Sequence, residues 1–112
     1  MTFTFPDGSI GVVDYLANGD KSFPKERLEV FCGGRVAVLD DFRLLEMVQD
    51  GRRTITRKVQ DKGWFGEWVV FSNAIRTGGE PPIPYEELVG VTKATFAVRE
   101  SLRAGGQSIE VK

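Results

Sequence analysis

Few of the 112 residues have the types and spacing that chemistry needs, and one type is missing altogether: the chain has no histidine. That excludes His-based triads, His acid–base pairs and His metal sites. Cys32 is the single cysteine, so neither an internal disulfide nor a thiolate cage can form. In the run from Leu28 to Cys32 it reads as a small buried hydrophobe. The carboxylate pairs Asp40-Asp41 and Glu86-Glu87 are adjacent in sequence, so their side chains diverge along a strand or helix. They suit a turn and a helix first turn better than paired acid–base work. Gly33-Gly34, Gly78-Gly79 and Gly105-Gly106 do not open a helix after a strand, so no dinucleotide or phosphate loop is present. The GXXG matches at Gly8 to Gly11 and Gly63 to Gly66 lack the two helices and basic flanks of a KH loop. One cation is harder to assign. Lys62, in Gln60-Asp61-Lys62-Gly63-Trp64, stands at the entrance to a helix, where the dipole disfavours a positive charge. It is either a contact to a substrate anion or hydroxyl, or an exposed lysine that is merely tolerated.

The elements that must position these residues change character halfway along the chain. Thr2 to Phe5 alternates, and Pro6-Asp7-Gly8-Ser9 supplies turn chemistry before Ile10 to Leu16 resumes the β pattern. Ala17 to Lys25 is a polar loop. Arg27 to Cys32 alternates, Gly33-Gly34 permits a two-residue turn, and Arg35 to Leu39 returns. Asp40-Asp41 then separates Phe42 to Val48, and Asp50-Gly51 leads into Arg52 to Val59. From Asp61 the aromatic and apolar residues Trp64, Trp68, Phe71 and Ile75 recur at helical spacing until Gly78-Gly79. Gly63 and Gly66 weaken the first turn and push the start later. Glu80-Pro81-Pro82-Ile83-Pro84 is a stiff linker into a second helix carrying Glu86 and Glu87 in its first turn. That helix has an apolar stripe through Leu88, Val91, Val98 and Leu102, and Gly105-Gly106 stops it. Ser108 to Val111 reads as a last short strand.

The expected fold is therefore α+β: an antiparallel or mixed open sheet of about six or seven strands, with two helices packed on one face. The length suits a single domain over 1–112, burying roughly two-thirds of its extended surface. The opposite sheet face is expected to carry Phe31, Ala37 and Leu39 alongside Arg27 and Glu29, and such a partly apolar face is commonly buried in an oligomer. Fifteen basic against sixteen acidic side chains give a net charge of −1. The cluster Arg52, Arg53, Arg57 and Lys58 then reads as a solvated strand face, and no nucleic-acid partner is expected. The N-terminus has no signal-peptide pattern and no apolar run approaches a membrane span, so the expected location is cytoplasmic, with no membrane partner.

The segments ANGDKSFPKERLEVF with its following Gly-Gly hairpin, VQDKGWFGEW, and the PPIPYEEL linker into the last helix carry a family resemblance. Over essentially its whole length the chain resembles the latter part of the C-terminal domain of Gfo/Idh/MocA-type NAD(P)-dependent oxidoreductases, in particular the bi-domain subgroup. The resemblance implies an open-sheet domain that shapes a sugar-like or polyol substrate pocket and mediates oligomer formation beside an N-terminal Rossmann domain. It implies NAD or NADP for the complete enzyme and no cofactor in this chain, which lacks the Gly-rich motif and the Glu-Lys-Pro lysine of such enzymes. The first strand and helix of the substrate domain, with their substrate-facing His and Asp, have no counterpart here either. Where relatives usually read Asp-Lys-Gly-His, this chain has Asp61-Lys62-Gly63-Trp64, which removes a possible proton donor. Lys62, Lys21, Asp20 and Trp64 are the implied substrate contacts, and no catalytic or metal-binding residue is assigned. The expectation is a chain inactive alone that forms a homo-oligomer through its sheet. The alternative is a free-standing interaction or small-molecule-binding module using that face.

Overall fold

A computed structural model describes residues 1–111. The fold is α+β: six strands, all paired antiparallel, and two helices. The strands form two sheets instead of one. β1 (Thr2–Thr4) and β2 (Ile10–Val12) make a hairpin, and β3 (Arg27–Cys32), β4 (Arg35–Asp40), β5 (Leu44–Gln49) and β6 (Arg52–Arg57) make a four-stranded meander in sequence order. α1 spans Trp64–Thr77 and α2 spans Tyr85–Arg103. Residues 107–111, where a last strand was expected, pair with nothing as a strand. The chain divides into two compact units: Leu16–Glu67, which holds the meander, and Met1–Tyr15 together with the described residues from Trp68 onward.

In the second of these units, turn chemistry sets the hairpin. Gly8 holds φ +84° and its N–H reaches the Phe5 carbonyl at 2.9 Å, while the Asp7 carboxylate accepts the Ser9 N–H and hydroxyl at 3.0 and 2.7 Å. Both helices stop where glycine pairs permit it. The Gly79 N–H closes on the Ala74 carbonyl at 2.9 Å and the Gly106 N–H on that of Ser101 at 2.8 Å, with Gly78 and Gly105 left-handed. The expected burial of helix stripes is absent. Trp64, Trp68, Phe71 and Ile75 of α1 and Leu88, Val91, Phe96 and Leu102 of α2 all stay exposed. Neither helix contains a buried residue. The half-buried side of α2 is instead lined by the small side chains Gly90, Ala94, Ala97 and Ser101 together with Val89 and Val98. Within this unit no element packs against another apart from β1 on β2.

In the meander, the turns determine which residues share a face. Gly33-Gly34 and Asp50-Gly51 are two-residue turns with both central residues left-handed, φ +53° and +75°, then +51° and +70°. A two-residue turn pairs odd positions of one strand with even positions of the next, so Phe31 lies opposite Val36 and Leu28 opposite Leu39. The expected grouping of Phe31 with Ala37 and Leu39 is therefore corrected: they lie on opposite faces. One face carries Arg27, Glu29, Phe31, Val36, Val38, Glu46, Arg53 and Ile55, with ion pairs Arg27–Glu29 at 2.7 Å and Arg53–Glu46 at 2.6 Å. The other carries Leu28, Val30 and Cys32 on β3, Ala37 and Leu39 on β4, and Leu45 and Met47 on β5. It is apolar across three strands and remains open: Leu28, Val30, Leu45 and Met47 are all exposed. Cys32, expected to be buried, is exposed too, because its strand is an edge and its face is uncovered. Among the described residues no side chain is fully buried in either unit.

Gly34 holds φ +75° with open space around the position a Cβ would take, so only backbone conformation penalises a side chain there. Gly34→Ala is expected to destabilise the meander by about 1 kcal/mol, read as a lowered urea midpoint. An unchanged midpoint would show that the turn is not held left-handed in solution.

Candidate functional site

The cation left unexplained by the helix dipole has a partner 36 positions upstream. The Lys62 ammonium donates to Glu26 Oε1 at 2.6 Å and lies 5.9 Å from the centre of the Phe42 ring. α1 begins only after this lysine. Gly63 takes φ +80° and its N–H is accepted by Asp61 Oδ1 at 2.8 Å, so the first helical bond runs from the Glu67 N–H to the Gly63 carbonyl. Asp61 thus shapes the approach to the helix, and the helix starts three residues later than Asp61, at Trp64.

Glu26 is held by the meander itself. Its carbonyl accepts the Asp41 N–H at 2.7 Å, which continues the β3–β4 ladder by one pair. Asp41 and Phe42 are the central residues of the β4–β5 turn, closed by the Arg43 N–H on the Asp40 carbonyl at 2.9 Å. Both are left-handed, φ +48° and +54°. For an aromatic residue that conformation costs about 1–2 kcal/mol. Neighbouring segments offset the cost: Gln60 Nε2 donates to the Asp41 carbonyl at 3.0 Å, and Arg43 pairs with the Asp41 carboxylate at 3.2 Å.

The charge state follows from these contacts. The hydrogen bond from Lys62 holds the Glu26 carboxyl below its ordinary range, its partial burial works in the opposite direction, and the charges of Lys62 and Lys25 add to the lowering. One carboxylate oxygen, Oε1, is used by Lys62. The other, Oε2, is shielded from solvent and has no hydrogen-bond partner, although the side chain as a whole is 42% exposed. The site is thus an ionised carboxylate and an ammonium at the end of the sheet, over an aromatic ring in a strained turn. The ammonium has three N–H donors, and only one is taken by Glu26. Chemically it can donate to a ligand oxygen.

The four residues implied as substrate contacts do not converge. Asp20 accepts the Ser22 hydroxyl at 2.6 Å and its N–H at 2.8 Å, contacts that lower its pKa and tie its carboxylate into a local turn. Lys21 is exposed in that turn, and Trp64 opens α1 with 70% of its surface exposed. No hydrogen bond or ion pair among the described residues joins Lys62 to Asp20, Lys21 or Trp64. Glu26 and Gln60 lie in segments singled out from the sequence, ANGDKSFPKERLEVF and VQDKGWFGEW, but had no role assigned there, and Phe42 was missed altogether. The signals were the polar character of those segments and a lysine placed against a helix dipole. No group of three metal-ligating side chains comes together among the described residues, and no helix is long and apolar enough to cross a membrane. No protein-family model matches the chain, and comparisons with curated proteins and with solved structures return no match.

Because the folded pKa of Glu26 is lowered, its contribution to stability is present above the unfolded carboxylate value and is lost as pH falls through the folded one. Lys62→Met is expected to flatten the acid limb of the stability–pH curve relative to the parent, with little added effect in the Glu26→Gln background. Superimposable acid limbs for parent and Lys62→Met would remove the pair from the account.

Proposed function

We propose that this chain is the substrate-pocket and oligomerisation portion of a cytoplasmic NAD(P)-dependent sugar- or polyol-type oxidoreductase, inactive alone. The observation that carries the oligomerisation half is the open apolar face through Leu28, Val30, Ala37, Leu39, Leu45 and Met47, on a sheet whose ion pairs lie on the other side. An exposed apolar area of this continuity is what subunit interfaces cover. The enzymatic half rests on the sequence resemblance. It is supported by the Lys62–Glu26 pair, an ordered donor at a sheet end where a hydroxyl-bearing substrate can be met.

The described residues do not fit a nicotinamide dinucleotide. Such a cofactor needs a glycine-rich turn from a strand end into a helix N-terminus. Here Gly33-Gly34 forms a hairpin turn, and Gly78-Gly79 and Gly105-Gly106 follow helix ends. No step through the cofactor is therefore assigned to this chain; NAD or NADP belongs to a Rossmann domain acting beside it. A second reading, a free-standing interaction module, draws on the same open face and needs no cofactor at all.

Sedimentation equilibrium at high micromolar concentration is expected to give a mass above that of one chain. Leu28→Lys and Met47→Lys, at positions already exposed in the single chain, are expected to return it to monomer. A strictly monomeric parent would overturn the oligomerisation reading. Mixing with a separately produced Rossmann half separates the two functions: nicotinamide-dependent turnover of a polyol favours the oxidoreductase, and its absence in a well-folded mixture favours the module.

A further inference from the structure

β6 is an edge strand with a definite hydrogen-bonding polarity. The two-residue turn Asp50-Gly51 closes on a hydrogen-bonded Gln49/Arg52 pair, so the ladder alternates from there. Arg52, Thr54 and Thr56 direct their backbone groups at β5, whereas Arg53, Ile55 and Arg57 direct theirs outward. The Lys58 N–H on the Arg43 carbonyl at 2.8 Å, one step past the strand, confirms the alternation. All six residues of β6 are exposed. The strand therefore offers a row of N–H donors and C=O acceptors with no partner strand.

Its charge is one-sided. Arg53 is neutralised by Glu46, but Arg52, Arg57 and Lys58 have no side-chain hydrogen bond or ion pair among the described residues. The opposite edge, β3, differs: its outward pair Arg27 and Glu29 neutralise each other. We propose that the free edge of β6 accepts an extended acidic peptide segment of a partner protein as an added antiparallel strand. The segment carries a carboxylate opposite Arg57 and, two residues on, a β-branched apolar side chain opposite Ile55.

Three considerations fix the occupant. A second copy of β6, paired antiparallel about Ile55, would set Arg57 against the partner's already neutralised Arg53–Glu46 pair and bring two sets of the uncompensated Arg52, Arg57 and Lys58 to one seam without adding a free carboxylate. A nucleic acid could use the cations, but its phosphates offer only acceptors, which cannot satisfy the outward carbonyls. An extended peptide supplies both donors and acceptors at strand spacing, and acidic side chains meet the uncompensated charge. The same cations that keep copies of the chain apart thus select the partner.

The test uses the full chain and a labelled ten-residue peptide with Glu set against Arg57 and Lys58 and Val set against Ile55, with its Lys-for-Glu counterpart as control. Fluorescence anisotropy is expected to show binding of the acidic peptide alone, weakening with salt. Ile55→Pro removes the outward N–H together with the Ile side chain and leaves the bonds to β5 in place. It is expected to weaken binding at least tenfold, one hydrogen bond accounting for about that much and the lost apolar contact adding to it. In the parent chain, the amides of Arg53, Ile55 and Arg57 are expected to gain hydrogen-exchange protection when the peptide is added. That readout stands even if the proline variant fails to fold. Three results would overturn the proposal: no binding of the acidic peptide, no protection at those amides, or a single-stranded oligonucleotide of equal charge binding as tightly as the peptide.

Discussion

Left-handed backbone at three turns is the constraint on which the meander depends. Each turn reverses the chain within a few residues, and the number of residues it uses decides which side chains share a face. Gly33-Gly34 and Asp50-Gly51 reach that conformation cheaply. Asp41-Phe42 does not, since an aromatic residue at φ +54° is strained. The third turn is accordingly the one that neighbouring segments hold. A backbone bond from Asp41 to Glu26, a side-chain bond from Gln60, and the Lys62 ammonium over the Phe42 ring all converge on it. Each such bond contributes on the order of 1 kcal/mol net, so two of them match the conformational cost.

This order of cause gives Lys62 a role that the helix alone could not. A cation in front of a helix N-terminus is disfavoured, yet here it answers a carboxylate and covers a ring displayed by a strained turn. The structural and the ligand-binding readings of Lys62 are compatible, because Glu26 takes only one of its donors. The unpartnered Glu26 Oε2 has the opposite sense. A shielded acceptor without a donor is unfavourable, and the pair keeps it because Oε1 is where the lysine reaches.

Much of the fold was legible because its signals are local. Pro6 to Gly8, Gly33-Gly34 and Asp50-Gly51 announce hairpins, and Gly78-Gly79 and Gly105-Gly106 end helices, each through a few adjacent residues. The left-handed turn at Asp41-Phe42 was not legible, since neither residue demands positive φ; contacts from Glu26 and Gln60 impose it. Face assignment failed at Phe31 for a different reason. The two-residue turn at Gly33-Gly34 was legible, and with it the alternation of β3 pairs Phe31 with Val36; the expected grouping did not carry that phase across into β4. The site was legible as an anomaly at Lys62 and as two polar segments containing Glu26 and Gln60, but not as a pairing between them. The partner of Lys62 lies 36 positions away, and no local pattern links a glutamate in a loop-to-strand junction to a lysine before a helix. Asp20 and Lys21 were carried by resemblance, and the local turn at Ser22 accounts for the Asp20 carboxylate.

The two faces of the meander divide labour in a way that bears on function. Charge is gathered on one face, where Arg27–Glu29 and Arg53–Glu46 are satisfied within the chain. The other is apolar across three strands and carries no ion pair, although Phe31, Val36, Val38 and Ile55 make the charged face partly apolar as well. What separates the two faces is charge and not apolar content, since the middle of the second face holds no Asp, Glu, Lys or Arg. Sorting is useful when one face is to be covered and must hold no charge that covering would desolvate. Arg35 and Arg52 fit this view: both belong to the apolar face by register, and both sit next to turns at the end of the sheet, where a charged head can remain in water while the middle is covered. The arrangement meets what the proposed oligomer requires, an uncharged middle to its apolar face, and the uncompensated cations of the β6 edge beside it limit how copies of the chain can approach through that edge.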